Sequence, residues 1–489
     1  MVKYIFLAAF IVLMIGVGIY SRSKVKDLND FFLGGRKMGP WLTAFSYGTA
    51  YFSSVIFIGY AGNIGWGFGI SAVWIGVGNA LLGCLLAWIV LGPRTRLMTH
   101  HMEAETMPDF FQKRYDCRWM KIVTALIIFI FLVPYSASVY KGLSYLFEIT
   151  FGIPGIYCLV GIAVLTGVYL LLGGYVATAL NNLIQGIIML FGVVLMLAFV
   201  LGAPQVGGLS EGIRKLAEIP DAGKGLTSVF SAMPLSLLGL VFLTSFGAWG
   251  LPQMIHKFYT IRDKKAIKRG AIVSTVFALV IGGGAYLTGA FGRLFLDNQM
   301  PAGGPDTIIP AVLQTALPEA LLGLIIVLVL SASMSTLSSL VLVSSSSIAM
   351  DLFKGVIFPK MEKKTVMMWM RLLCVVFVGV SFWVAATNVH VIVTLMSLSW
   401  GVVAGCFLAP YLYGLYWKGT TKAGAWAGIV SGLLTVLAAI VIKGGLSNVS
   451  MPNVGSLAML VSVAVVPLVS FVTPKYEKAF TDQLFSYER

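Results

Sequence analysis

Charge is what this chain has least of. Only 11% of its 489 residues are Asp, Glu, Lys or Arg, against roughly a quarter in a soluble domain. Hydrophobic residues make up 58%, so too little polar surface remains to cover a globule in water. The apolar–polar alternation of a membrane β-barrel is missing as well. Instead, apolar runs follow one another from end to end, each near the roughly 20 residues of a bilayer-crossing helix. Cysteine is scarce, and Cys84, Cys117, Cys158, Cys374 and Cys406 are scattered without metal-ligand spacing; they read as small packing residues. The four histidines, 100, 101, 256 and 390, stand near the ends of apolar runs and form no metal cage pattern. Paired acids and nucleophile–base patterns are lacking inside the runs, so neither an enzyme nor an organic cofactor is expected.

What is present is an all-α polytopic membrane protein of about thirteen spans, placed near 4–20, 42–66, 71–92, 122–146, 154–172, 178–201, 233–254, 269–291, 318–347, 367–387, 391–416, 422–442 and 454–473. The net charge of +15 suggests nucleic acid until its placement is examined. Twenty-seven of the 34 basic residues fall in loops on one side, six on the other, and Lys141 lies within span 4. The basic side includes Lys24, Lys26, Lys257 and Arg489. Positive charge stays cytoplasmic, so a multi-pass plasma-membrane protein is expected, with its N-terminus outside and its C-terminus in the cytoplasm. The charge is topology, and no nucleic-acid partner is expected. The first span has one lysine before it and no convincing small-residue cleavage site, so it reads as an anchor.

Two spans are interrupted. Span 2 carries FSYGTAYFSS (45–54) and span 7 carries TSFGAWGLP (244–252). Glycine, proline and hydroxyl residues break a membrane helix only where the freed backbone faces protein or a cavity. Span 2 enters from the cytoplasm and span 7 from outside, five spans later. This is the pattern of two inverted five-helix repeats, in which solute and coupling ion bind at the breaks near the midplane. The expected organisation is therefore 1–40 as anchor and loop, 41–202 as the first repeat (spans 2–6), 203–418 as the second (spans 7–11), and 419–489 as two further helices and a tail.

Span 9 holds SASMSTLSSLVLVSSSS (331–347). At helical spacing Ala332, Ser335, Thr336 and Ser339 share one face. Ser331, Ser338 and Ser344–Ser347 are expected to pack closely or to bond back to their own helix. Ser335 and Thr336 are assigned as ion ligands, because hard cations prefer oxygen and a broken helix supplies carbonyls that can replace a hydration shell. A proton-driven carrier would more naturally show acids deep in its spans, and none stands out. Sodium fits better than protons.

Four segments carry a family resemblance: DFFLGGRKMGPW (30–41), TMPDFFQKRY (106–115), YLLLGGYVATALNNLIQG (169–186) and MSTLSSLVLVSSSSIAMDLFK (334–354). With them the chain resembles the sodium:solute symporters, the group of the proline, pantothenate and sodium–glucose carriers. The resemblance spans about 4–473. It implies a sodium site made of Thr49, Phe52 and Ala332 together with Ser335 and Thr336. The second of the four looks like the family's cytoplasmic loop helix, with Thr106 as cap, Pro108 in the first turn and Asp109 near the positive helix end.

Departures from the family matter. Asn182 stands where many members have an acid, Tyr51 where proline carriers have an aspartate, and Thr244 and Ala248 where they have aromatics. TAYFSS (49–54) looks more like the pantothenate branch. The solute-contacting candidates are Tyr47, Tyr51, Ser53, Ser54, Phe246 and Trp249. Together these point to sodium-coupled symport of a small organic solute, such as pantothenate or a monocarboxylate. The alternatives are a proton-coupled or uncoupled carrier of an amino acid or sugar, or a channel.

Overall fold

A computed structural model describes residues 2–22, 28–220, 222–387 and 391–486. His390, Lys24, Lys26 and Arg489 lie outside them. Regular structure among the described residues is helical apart from a single backbone bridge between Met38 and Ile261. Large apolar side chains such as Val12, Phe191, Leu235 and Phe471 are exposed on the outer surface, as a protein surrounded by lipid tails requires.

Among the described residues, ten helices are long and apolar enough to cross a membrane, or eleven with the bent pair Pro234–Trp249 and Pro252–Thr260. The expected thirteen are not reproduced by that count. Helix Pro40–Tyr51 has only 12 residues before its break, and helical backbone runs from Val55 to His101 as one stretch. Gly69 nevertheless turns that stretch, with φ 57° and ψ −134°, a conformation that side chains resist. Helix Lys264–Ala290 shows the result. Gly48 lies against Phe277 and Gly65 against the backbone of Gly289, whereas Gly76 meets Gly282 and Gly92 meets Ile267. The chain thus climbs along this helix in span 2 and descends along it in span 3. Gly174 (φ 52°, ψ −141°) likewise bends the stretch Gly155–Gly202 between spans 5 and 6.

Both expected breaks are present. Span 2 ends its first half at Tyr51, passes through extended Phe52 (φ −106°, ψ 111°) and resumes at Val55. Span 7 stops at Trp249, has extended Leu251 (φ −83°, ψ 122°) and resumes at Pro252, with a bend of 41°. Pro252 explains the restart, since proline fits the first helical turn and not its interior.

Spans 12 and 13 lean on span 11 through small residues. Gly401 meets Gly455, and Gly405 meets Gly432; backbones approach closely where side chains are absent.

The helix Met107–Tyr115 is capped as expected, Thr106 Oγ1 accepting from the Asp109 N–H at 3.1 Å. It carries a buried charge cluster. Lys121 Nζ donates to Asp109 Oδ1 at 2.8 Å and lies 3.5 Å from Asp351 Oδ1, while Thr106 Oγ1 donates to that same Asp351 oxygen at 2.6 Å. Arg114 Nε donates to the Gly414 carbonyl at 2.8 Å. One short helix therefore ties together the ends of spans 4, 9 and 11.

Candidate ion and solute site

The break in span 2 leaves the carbonyls of its last turn without helical partners. Span 9 presents its hydroxyl face to them. Ser335 Oγ donates to the Thr49 carbonyl and to the Ala332 carbonyl, at 2.9 Å in each case. Thr336 Oγ1 lies 3.3 Å from the carbonyls of Thr49 and Ala50 and 3.1 Å from that of Ala332. Thr49, Ala332, Ser335 and Thr336 are fully buried. Four of the five expected ion residues are thus within hydrogen-bond reach of one another. The fifth, Phe52, supplies the extended residue at the break, and no hydrogen bond joins it to span 9 among the described residues. Four neutral oxygens converging in a buried interior can replace part of a cation's hydration shell without a fixed charge.

The other hydroxyls of span 9 separate as expected. Ser338, Ser345, Ser346 and Ser347 donate to carbonyls three residues earlier, at 2.8–3.0 Å. Ser331 and Ser344 are buried in the helix contacts.

The solute candidates are only partly gathered. Tyr47 donates to the Gly83 carbonyl at 2.7 Å, Tyr51 to that of Thr244, and Trp249 Nε1 to that of Leu82 at 3.0 Å. Spans 2, 3 and 7 are thus stitched by aromatic donors around the two breaks. Ser54 Oγ donates to the Val139 carbonyl at 2.8 Å, and Ser53 Oγ accepts from the Val55 N–H at 3.2 Å. Phe246 stands apart, half-buried against Phe242 and Trp249.

Several residues here escaped sequence reasoning. Trp400 stacks on Tyr51 with ring centres 5.9 Å apart, and Tyr135 meets Trp400 edge-on. Ser397 bonds Tyr60 at 3.0 Å, and Ser333 accepts from the Ser54 N–H at 3.3 Å. Asn79 accepts from Ser245 at 3.3 Å. The stretch SLSW (397–400), polar in an otherwise apolar span, was the signal available for the span 11 residues.

Lys257 corrects the loop assignment. It sits inside the second half of span 7, 1% exposed, with Nζ 3.1 Å from Ser339 Oγ. The neighbouring His256 is buried between Phe32 and Tyr175. A buried titratable group is thus present near the breaks, which an argument from missing carboxylates overlooked.

Two broken helices five spans apart, one of them facing the hydroxyl-lined span 9, make the pattern of an inverted-repeat membrane carrier. Solved structures agree on this fold. A Na+-coupled sialic acid symporter, in a substrate-bound outward-open state, superposes with a TM-score of 0.82 over 98% of both chains at 19% identity. Mhp1, a nucleobase-cation-symport-1 family transporter in a closed conformation, gives 0.53 over 94% of this chain and 98% of its own at 15% identity. The architecture is therefore of the LeuT type, with two inverted five-helix repeats and flanking helices. Residues 31–432 match the model of the sodium:solute symporter family, and the chain belongs to that family. Among its relatives are a sodium/proline symporter of Staphylococcus aureus, 30% identical over 89% of this chain and 85% of its own length, and sodium/proline symporter 2 of Staphylococcus saprophyticus, 29% identical over 90% and 86%. The lean toward the pantothenate branch drawn from TAYFSS (49–54) finds no support in these relatives, which are named for proline.

Proposed function

We propose that this protein is a secondary active symporter that couples entry of sodium to import of a small organic solute by alternating access. The observation that carries this reading is the meeting of Ser335 and Thr336 with the Thr49 and Ala332 carbonyls at a broken helix. Sodium sits among these four oxygens and the Phe52 carbonyl. The solute binds beside the breaks, among Tyr47, Tyr51, Ser53, Ser54, Trp249 and Trp400, with Phe246 at the margin. The protein lies in the plasma membrane with its N-terminus outside.

The solute candidates carry no charged side chain, and Tyr51 stands where proline carriers have a carboxylate. A free amine would find no counter-charge among them. A carboxylate would be received by Tyr and Ser hydroxyls and by the positive end of a half-helix. The reading therefore favours a small carboxylate such as pantothenate or a monocarboxylate, with proline as the solute named for the relatives.

Energetics constrain this choice. One positive charge entering through 100 mV yields about 2.3 kcal/mol, and a tenfold sodium gradient about 1.4 kcal/mol. A neutral solute moving with one sodium can accumulate roughly 500-fold, whereas a monoanion moves with no net charge and reaches only about tenfold. The test is uptake of labelled proline, pantothenate, short monocarboxylates and a sugar into proteoliposomes, under an inward sodium gradient, a proton gradient or neither. Uptake of one solute only under sodium is expected. Uptake indifferent to sodium would contradict the reading.

A further inference from the structure

Lys257 is the least explained group in the protein. A lysine inside a membrane helix is costly and is usually paired, yet among the described residues no carboxylate pairs with this one. Its ammonium rests on neutral partners: the Ser339 hydroxyl at 3.1 Å, and the face of Tyr175 with its centre at 5.2 Å. Such a cation–π contact offsets part of the desolvation cost.

The position relates directly to the seam. Ser339 Oγ also donates to the Ser335 carbonyl at 3.0 Å, and the Ser335 hydroxyl reaches the Thr49 carbonyl. Lys257 is therefore joined to the candidate sodium oxygens through one turn of span 9, a rise of about 5.4 Å. Span 6 adds a second observation. Tyr175 touches Lys257, and Gly186 lies against Phe45 and Thr49. Asn182 falls between them at helical spacing on that face. It is fully buried, and neither its amide nitrogen nor its amide oxygen has a hydrogen-bond partner among the described residues. A seam rich in hydroxyls and amide groups thus continues past the sodium oxygens, and the Lys257 amine lies within it.

We infer that the Lys257 ammonium is a built-in second cation of the transport site. It holds the position that a second coupling ion would take, so one sodium moves per cycle, and its charge opposes sodium bound at Thr49, Ala332, Ser335 and Thr336. This rests on the proposed sodium site and deepens it. The repulsion has a use, because an ion held too tightly is not released. Lys257 lies toward the 261–263 loop, the side taken as cytoplasmic, where sodium must leave. Two like charges about 10 Å apart in a protein interior change binding by about tenfold or more. Lys257 acts on sodium through the field and touches neither ion nor solute, so it is a positioning residue.

The experiment compares the full-length wild type with Lys257→Met, Lys257→Gln and Lys257→Arg. Equilibrium binding of 22Na+ is measured on purified protein, and the ratio of sodium to solute taken up is measured in proteoliposomes. One sodium per solute is expected for the wild type. Both neutral variants should bind sodium about tenfold more tightly, with slower turnover, and Lys257→Arg should keep the wild-type affinity. A structural role alone would not tighten sodium binding, nor would retained charge restore it. Folded neutral variants with wild-type sodium affinity would overturn the inference, as would two sodium ions per solute in the wild type. Sodium-dependent uptake with unchanged affinity in the neutral variants overturns this inference alone, whereas sodium-independent wild-type uptake overturns the proposed sodium site as well.

Discussion

Thr336 and Ser335 differ in what they would lose by truncation. Thr336 Oγ1 stands near three carbonyls, from Thr49, Ala50 and Ala332, and so bridges the two helices beside the shorter Ser335–Thr49 contact. Thr336→Ala removes one oxygen from a shell of about five. We expect the sodium concentration for half-maximal uptake to rise at least tenfold, about 1.4 kcal/mol, while the protein remains folded in detergent. Unchanged sodium dependence would remove Thr336 from the site. A second residue-scale prediction concerns Asp306, buried in the turn before helix Ile308–Ala316, where its Oδ2 accepts from the Ile392 N–H at 3.0 Å. Burial pushes its carboxyl up to about 6, only partly offset by the Ile392 N–H and by Lys141. The folded value lies above the ordinary 3.8, so the folded protein binds this proton more tightly than the unfolded chain. Its stabilising contribution is complete below about pH 4 and is lost as pH rises through about 6. Thermal midpoints of the wild type should therefore fall more steeply from pH 5 to 7 than those of Asp306→Asn; parallel curves would refute the assignment.

Among the elements, the helix Met107–Tyr115 makes the sharpest claim. Asp109 holds Lys121 at 2.8 Å and Lys113 at 3.0 Å. Burial alone would raise its carboxyl, but these ammonium groups outweigh that and hold it below the ordinary carboxylate value. Removing one partner of a buried pair typically costs about 3–5 kcal/mol. Asp109→Asn is accordingly expected to lower the thermal midpoint and to loosen the tie between spans 4 and 9. An unchanged midpoint, together with unchanged labelling of a cysteine placed at Met350, would show that the cluster carries no such load. This helix was legible in TMPDFFQKRY because its cap and first turn are local chemistry. The two broken spans were legible for the same reason, from FSYGTAYFSS and TSFGAWGLP. Lys257 was not. In a row of six basic residues from 257 to 269 it looks like loop charge, and only the restart of the helix at Pro252 carries it back inside. Trp400 and Tyr135 were missed because aromatic residues are common in membrane helices, and their meeting with Tyr51 depends on how spans 4 and 11 cross span 2. The count of thirteen spans also depended on more than hydropathy. Turns at Gly69 and Gly174 are single residues inside continuous helical stretches, so length and composition alone do not separate the spans they divide.

For the whole molecule, the proposed transport cycle has two opposed halves hold one cation between them and rock around it. Such a design needs the seam between spans 2 and 9 to be polar, dry and weakly charged, and the surrounding helices to be rigid. The buried hydroxyls supply the first condition, and the close glycine contacts of spans 11, 12 and 13 supply the second. The measurement that tests this most directly is equilibrium binding of 22Na+ to the purified wild type and to Ser335→Ala/Thr336→Ala, with thermal midpoints taken in parallel. The account predicts saturable sodium binding in the wild type, and sodium-dependent stabilisation, both lost in a double variant that still folds. Equal sodium binding by the two proteins would contradict it.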